Sequence, residues 1–362
     1  MAHTRWPEPA TTEGWDQGPP LGYLRDLCEH WGTAYDWRAT ERRLNALDHY
    51  LTTVDGLDLH LVHAPSPRDD AIPLVLTHGW PGSFLEFEAL LPLLTDPPDG
   101  EPAFHVVLPS LPGYAWSGRP GEPGWGIHRI ADAWAEVMTR LGYDRFVAGG
   151  SDWGTSVSTC LGLQHPDRTK GLFLVPPLVA PPEDRTNLTE RERNSLDDLT
   201  ERDATGSAYS SLHATRPQTI GYALTDSPVG LAAWIVEKVW SWSDHDGDLD
   251  AVIPRDRLLD NVSLYWFTRT AASSVRLYRE SIGEVSTWFD STSGDRPTFT
   301  VDVPTGALVF PAEVPRPSRR WAKERFPRIV QWAEADRGGH FGAWEQPVTV
   351  VRELRAFARK LG

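Results

Sequence analysis

The sequence predicts an α/β fold: a doubly wound, mostly parallel sheet with a helical insertion. Three observations predict it. Short continuous apolar runs recur along the chain, helical stretches separate them, and the alternation breaks at about Ala180 and resumes at about Thr300. A parallel strand buried on both faces reads as an unbroken apolar run rather than an alternating one. Ile72-Pro73-Leu74-Val75-Leu76-Thr77 is the first such run, and it ends in the sharp turn His78-Gly79-Trp80-Pro81-Gly82. His105-Val106-Val107-Leu108-Pro109, Phe146-Val147-Ala148-Gly149 and Gly171-Leu172-Phe173-Leu174-Val175 follow, with a helix expected from Ile130 to Leu141. The segment between the two breaks is polar and helix-rich, with clustered aromatics, and reads as an insertion over the sheet. Thr305-Gly306-Ala307-Leu308-Val309-Phe310 and Arg328-Ile329-Val330-Gln331-Trp332 restore the strands. Val351, Leu354, Phe357 and Ala358 share one helical face in a closing segment from Val348 to Lys360.

The first part of the chain has a different pattern. Leu21, Leu24, Leu27, Cys28 and Trp31 recur at helical spacing, Glu41 to Leu47 suggests a second helix, and Asp55-Gly56 reads as a turn into a strand through Leu57, Leu59 and Leu61. The proline-rich stretch Ala64-Pro65-Ser66-Pro67 marks its exit. The expected organisation is therefore an N-terminal extension over 1–70, core over 71–180, helical cap over 181–300 and core again over 301–362.

Composition narrows the function classes. Two cysteines, Cys28 and Cys160, make neither a disulfide framework nor a metal-knuckle pair, which fits a reducing cytoplasm. A formal charge of −15 repels phosphate backbones and anionic lipid, so no nucleic acid or membrane partner is expected. No stretch approaches the roughly 18 apolar residues of a membrane helix, and the opening residues lack a signal-peptide pattern. A neutral organic substrate suits that field.

The most informative segment is Val147-Ala148-Gly149-Gly150-Ser151-Asp152-Trp153-Gly154-Thr155. A nucleophile on a tight strand-to-helix turn needs small residues two before and two after it, because strand and helix nearly touch there. Asp152 has Gly150 and Gly154 in those places. Ser151 would have Gly149 and Trp153, an indole at the crowded position. Asp152 is thus the candidate nucleophile, the alternatives being a Ser151 register or a glycine-rich turn in which Asp152 only caps a helix. A carboxylate attacks sp³ carbon by displacement and leaves an alkyl ester, so epoxides and alkyl halides become the candidate substrates. The ester must then be hydrolysed by an activated water.

His340, in the loop Arg337-Gly338-Gly339-His340-Phe341 after the last expected strand, is the candidate base. Its orienting acid should come from a strand end between nucleophile and histidine. Glu313, three residues past Phe310, meets that condition; Asp302 precedes the strand, and Asp336 is too close to His340 in sequence. His78 would hold its turn by hydrogen bonds. The backbone N–H groups of Trp80 and Trp153 are the expected oxyanion hole.

These residues carry a resemblance. The turn His78 to Phe84, the elbow Gly149 to Gly154, the loop Arg337 to Phe341 and the order Asp, Glu, His resemble the microsomal-type epoxide hydrolases of the α/β-hydrolase fold. The likeness spans nearly the whole chain. Trp37, Leu44-Asn45 and Asp55-Gly56-Leu57 are similar to that family's N-terminal domain, and Asp226 to Trp234 resembles its cap. The resemblance implies that two cap tyrosines, at the positions of Tyr209 and Tyr278, hydrogen-bond the epoxide oxygen. A phenol suits that task, since ring opening releases an alkoxide that needs a donor. Trp80, Trp153, Trp240, Trp242 and Trp266 are candidates to line an apolar pocket. Membrane-bound relatives carry an amino-terminal anchor; its absence here implies a soluble enzyme, as compatible with biosynthetic tailoring as with detoxification. No metal or organic cofactor is expected, water is the co-substrate, and a homodimer is compatible with the sequence. A dehalogenase with the same nucleophile and a silent binding protein of the same fold are the competing readings.

Overall fold

Strands enclosed between two layers of helix have no wet face, and the apolar runs fold accordingly. The computed structural model describes residues 3–289 and 299–361. Eight strands, β1 (His49–Val54), β2 (Leu57–Ala64), β3 (Ile72–Thr77), β4 (Phe104–Pro109), β5 (Phe146–Ser151), β6 (Thr169–Val175), β7 (Thr305–Val309) and β8 (Ile329–Glu334), form one sheet in the order β1-β2-β4-β3-β5-β6-β7-β8. From β4 to β8 every pairing is parallel; β1 pairs β2, and β2 pairs β4, antiparallel. The sheet is that of an α/β-hydrolase fold, and two strands of the N-terminal part extend its edge.

Helices cover both faces. The N-terminal pair is α1 (Leu21–Thr33) and α2 (Trp37–Leu44), and the first part of the core adds α3 (Leu91–Thr95), α4 (Ile127–Arg140) and α5 (Trp153–Gln164). In α4 the residues Ile127, Ile130, Ala131, Trp134, Ala135 and Met138 are buried at helical spacing, while α5 is buried from Trp153 to Gly162, packed against α4 and the central strands β3, β5 and β6. The cap itself is α6 (Glu190–Thr205), α7 (Ala208–Thr215), α8 (Pro217–Asp226), α9 (Pro228–Trp242), α10 (Arg255–Thr268), α11 (Ala271–Ser274) and α12 (Arg276–Thr287). Then come α13 (Arg319–Arg325), α14 (Gly342–Glu345) and α15 (Pro347–Ala358), the last burying Val350, Val351, Leu354, Phe357 and Ala358 against the core. Among the described residues no helix is long and apolar enough to cross a membrane.

The second helix departs furthest from the sequence reading, running over Trp37–Leu44 rather than Glu41 to Leu47, and α4 begins three residues earlier than expected, at Ile127. The Asp36 side chain caps α2 by accepting from Arg38 N at 2.9 Å, and the His49 ring meets the Leu44 carbonyl at 2.8 Å, which turns the chain into β1.

The N-terminal helices also secure the cap. Asp260 of α10 is buried and accepts hydrogen bonds from Tyr35 at 2.7 Å, Thr40 at 2.5 Å and Arg43 at 2.6 Å, and Arg43 also reaches Glu88 of the core at 2.6 Å. Trp31 Nε1 donates to Ser263 at 2.8 Å, and the Trp15 ring stacks on Trp240 at 4.2 Å between centroids. A buried carboxylate with three donors around it loses far more when one is removed than a surface pair would.

Candidate active site

Asp152 stands at the apex between β5 and α5 with φ 53° and ψ −124°, a left-handed conformation that a non-glycine residue adopts only when its surroundings impose it. The surroundings here are tight. A Cβ at Gly154 would lie 1.8 Å from the Thr77 carbonyl oxygen, and one at Gly150 would lie 2.3 Å from the same atom. Gly79 faces the apex, and a Cβ there would fall 2.0 Å from Asp152 Oδ1. The glycines let three backbone segments converge on one carboxylate. Ser151 is turned away and hydrogen-bonds the buried Glu86 carboxyl.

The two oxygens of Asp152 have different neighbours. Oδ1 accepts from the Trp80 N–H at 2.9 Å, and the Trp153 N–H also donates to the carboxylate. Oδ2 lies 3.7 Å from His340 Nε2. Burial raises the Asp152 carboxyl above its ordinary value, and His340 and the two N–H donors oppose that rise. His340 Nδ1 meets Glu313 Oε2 at 2.9 Å, which leaves Nε2 facing Asp152. Burial alone would lower the imidazole; the charge and hydrogen bond of Glu313 and the charge of Asp152 outweigh it and bring the value up to about 9. Glu313 is itself held by the Val314 N–H at 2.8 Å.

The loop carrying Trp80 is fixed from both sides. His78 is fully buried, its Nε2 accepting from Leu111 N at 3.2 Å and its Nδ1 donating to Gly79 O at 3.0 Å; burial lowers its pKa to about 4, so it stays neutral in that role. From the cap, Asn261 donates to Pro81 O at 2.8 Å and Tyr265 to Gly82 O at 2.7 Å.

Tyr209 of α7 and Tyr278 of α12 meet over the carboxylate, their hydroxyl oxygens 3.5 Å apart and their rings nearly perpendicular at 78°. The Trp80 ring stacks on Tyr209 at 5.3 Å and the Trp153 ring meets Tyr278 edge-on at 4.9 Å. A cavity of about 420 Å³ opens here, touching Asp152, His340, Glu313 and both tyrosines, with Leu178, Leu199, Ile282, Val285 and Phe289 as its apolar wall. Of the tryptophans, Trp153 and Trp242 line it, Trp80 packs behind Tyr209, Trp240 stacks outward on Trp15, and Trp266 lies off the cavity. A larger groove of about 980 Å³ near Trp37, Trp116 and Phe267 contains none of these groups. Asp302 precedes β7, at the opposite end of the sheet from the elbow.

Sequence reasoning passed over several residues that the fold brings to the site. Glu86 is buried beside the apex, and burial, with Asp152 adding to it, raises its carboxyl to about 8 although His340 pulls the other way. Glu345 organises the histidine loop: it accepts from Gly339 N at 2.9 Å, Phe341 N at 3.0 Å and, across to the end of α9, Asp244 N at 2.8 Å. His340 N in turn donates to Trp242 O at 2.8 Å. The only signal was proximity, Glu345 lying five residues after His340. Glu345→Ala orphans three N–H groups and should cost about 2–3 kcal/mol of stability. It should also slow the step that depends on His340 by about tenfold, measured by denaturant titration and single-turnover kinetics. Unchanged values of both would show that the loop is held by other contacts.

Comparison with known proteins gives a consistent set. The first 87 residues match the model described as epoxide hydrolase N terminus, and residues 72–208 match that of the alpha/beta hydrolase fold. A candidate epoxide hydrolase of Stigmatella aurantiaca is 48% identical, over all of this chain and 81% of its own length. Epoxide hydrolase 1 of Sus scrofa is 35% identical, over 92% of this chain and 79% of its own. The Aspergillus niger epoxide hydrolase structure superposes with a TM-score of 0.88 at 31% identity, covering 100% of this chain and 91% of that one.

Proposed function

Because this chain belongs to the epoxide hydrolase family, we propose that it opens an epoxide to a vicinal diol through an ester on Asp152, which His340 then hydrolyses. The observation that carries this reading is the division of labour between the two oxygens of Asp152, one held by the Trp80 N–H and the other free toward the cavity and His340. Oδ2 attacks one epoxide carbon, and as that C–O bond forms the ring C–O bond breaks. Tyr209 and Tyr278 supply the proton that the leaving oxygen needs. His340 Nε2 then takes a proton from water, whose oxygen adds to the Asp152 carbonyl carbon. Negative charge collects on Oδ1, which already accepts from the Trp80 N–H, while the Trp153 N–H donates to the same carboxylate. Collapse releases the diol with Oδ2 in it, and a water oxygen stays in the carboxylate.

The charges time the steps. While Asp152 is ionised it helps keep the proton on His340, but the ester carries no charge, so esterification withdraws that support and frees Nε2 to act as base. The proton His340 gives up equals the one the phenol donated, so each turnover closes without net proton exchange. The bound substrate is a small apolar epoxide, in keeping with the aliphatic wall of the cavity.

The test follows the oxygen. In a single turnover of excess enzyme with styrene oxide in heavy-oxygen water, the diol should contain no label and the peptide bearing Asp152 should gain it. Label appearing directly in the diol would mean that water attacks the epoxide, with Asp152 acting only as a base.

A further inference from the structure

Lys238 is the feature of the cap that the reaction just described leaves unused. It sits on α9 with its side chain only 8% exposed, and its Nζ lies over the face of Tyr209, 4.7 Å from the ring centroid, and 5.8 Å from that of Trp242. Its other contacts are Glu237 Oε2 at 2.7 Å and, at 3.5 Å, the Gly206 carbonyl. Burying an ammonium is costly, and a methionine of similar length would fill the same space without that cost. The charge therefore needs an explanation beyond packing.

We propose that Lys238 is a positioning residue for catalysis, its ammonium stabilising the negative charge that Tyr209 takes on when it protonates the opening epoxide. This rests on the reading of Tyr209 as a proton donor. A cation over a neutral phenol feels only the ring quadrupole, but over a phenolate it feels a full charge delocalised into the same ring. The attraction therefore grows as the proton leaves, which is the condition for lowering a barrier rather than merely binding a ground state. Tyr209 has need of such help. Burial and then the Asp152 charge make its phenol a weaker acid than usual, and Glu237 adds to that, against the opposing hydrogen bond with Tyr278 and the Arg202 guanidinium. His213, stacked edge-on to the same tyrosine at 5.5 Å, stays neutral because burial first, and Lys238 next, lower its pKa to about 3. No covalent step is added: the C–O bond of the epoxide breaks, the phenolic proton moves to its oxygen, and Lys238 keeps its protons throughout.

The experiment is a double-mutant cycle read on the alkylation step with styrene oxide, followed by tryptophan fluorescence in stopped flow. Lys238→Met should slow alkylation about tenfold, Lys238→Arg should restore it to within about threefold, and ester hydrolysis should change less than twofold. In a Tyr209→Phe background the Lys238→Met change should have almost no further effect. Equal slowing in both backgrounds, or no slowing in the first, overturns the inference. Glu237→Gln supplies a second route that leaves the buried lysine intact: relieved of its counter-ion, the ammonium should speed alkylation a few-fold, and a slower or unchanged rate counts against the proposal. If Tyr209→Phe alone leaves alkylation untouched, the donor assignment fails and this inference with it. If Tyr209→Phe slows the step and Lys238→Met does not, only the role of Lys238 is lost.

Discussion

Replacing His340 with Gln should produce an enzyme that takes on its substrate and cannot let it go. Gln keeps a polar side chain in the cavity but cannot accept the water proton, so ester formation proceeds while hydrolysis falls by roughly 10²–10⁴-fold, the span expected for loss of a general base. Incubated with styrene oxide, the intact protein should gain the mass of one substrate molecule, and peptide mapping should put the addition on Asp152. The geometry gives the reason for the asymmetry: His340 Nε2 is 3.7 Å from the Asp152 oxygen that attacks, while the Trp80 N–H holds the other oxygen whether or not the histidine is present. Adding Asp152→Asn to the same protein should abolish the adduct. An adduct on Ser151, or none with a broad panel of epoxides and halides, would overturn the assignment of the nucleophile.

Removing both phenols should do the reverse. Each Tyr→Phe change at 209 and 278 takes away a donor from charge that appears only as the ring opens, and the loss of one such donor is worth roughly 10²–10³-fold. The double variant should accordingly alkylate at most about 10⁻⁴ as fast as the parent, while an ester formed beforehand is hydrolysed at nearly the normal rate, since hydrolysis draws on His340, Glu313 and the N–H groups of Trp80 and Trp153. A dehalogenase with this nucleophile would behave otherwise. It would release bromide from 1-bromobutane at a rate indifferent to both tyrosines, so bromide release and diol formation measured side by side decide between the chemistries. Fast bromide release with diol formation absent or insensitive to the changes would remove the tyrosines from the mechanism.

The apolar runs of β3 to β8 could be read because strands covered on both faces cannot hide their character, and the elbow could be read because only one register puts glycines at both crowded positions. Glu313 and His340 followed from chain order, and the fold brings their side chains to 2.9 Å across 27 residues of sequence. The tyrosines are a different matter. Nothing in the local sequence separates Tyr209 from the other eight tyrosines, and only the family likeness singled it out. Lys238 and Glu345 were illegible for a related reason. Glu237-Lys238 looks like a solvated pair on a helix, and Glu345 like a loop carboxylate; what makes them matter is a ring delivered by α7 and three N–H groups delivered by two separate segments. Periodicity reports which face a residue occupies, not what a distant segment will place upon it.

The clamp that α1, α2 and their flanks make on α9 and α10 bears on how such an enzyme changes its diet over generations. Behind the cavity α10 is a fixed bearing: Asp260, Ser263, Asn261 and Tyr265 tie it at once to the N-terminal segment and to the loop that carries Trp80, so drift there should disturb the placement of the Trp80 N–H. The cavity wall itself, from Leu199 and Ser207 round to Ile282, Val285 and Phe289, carries none of those ties. Substitutions that admit a longer or bulkier epoxide should therefore collect on α6, the start of α7 and the latter half of α12. A library confined to those positions should yield a higher share of active variants than one of equal size directed at α10.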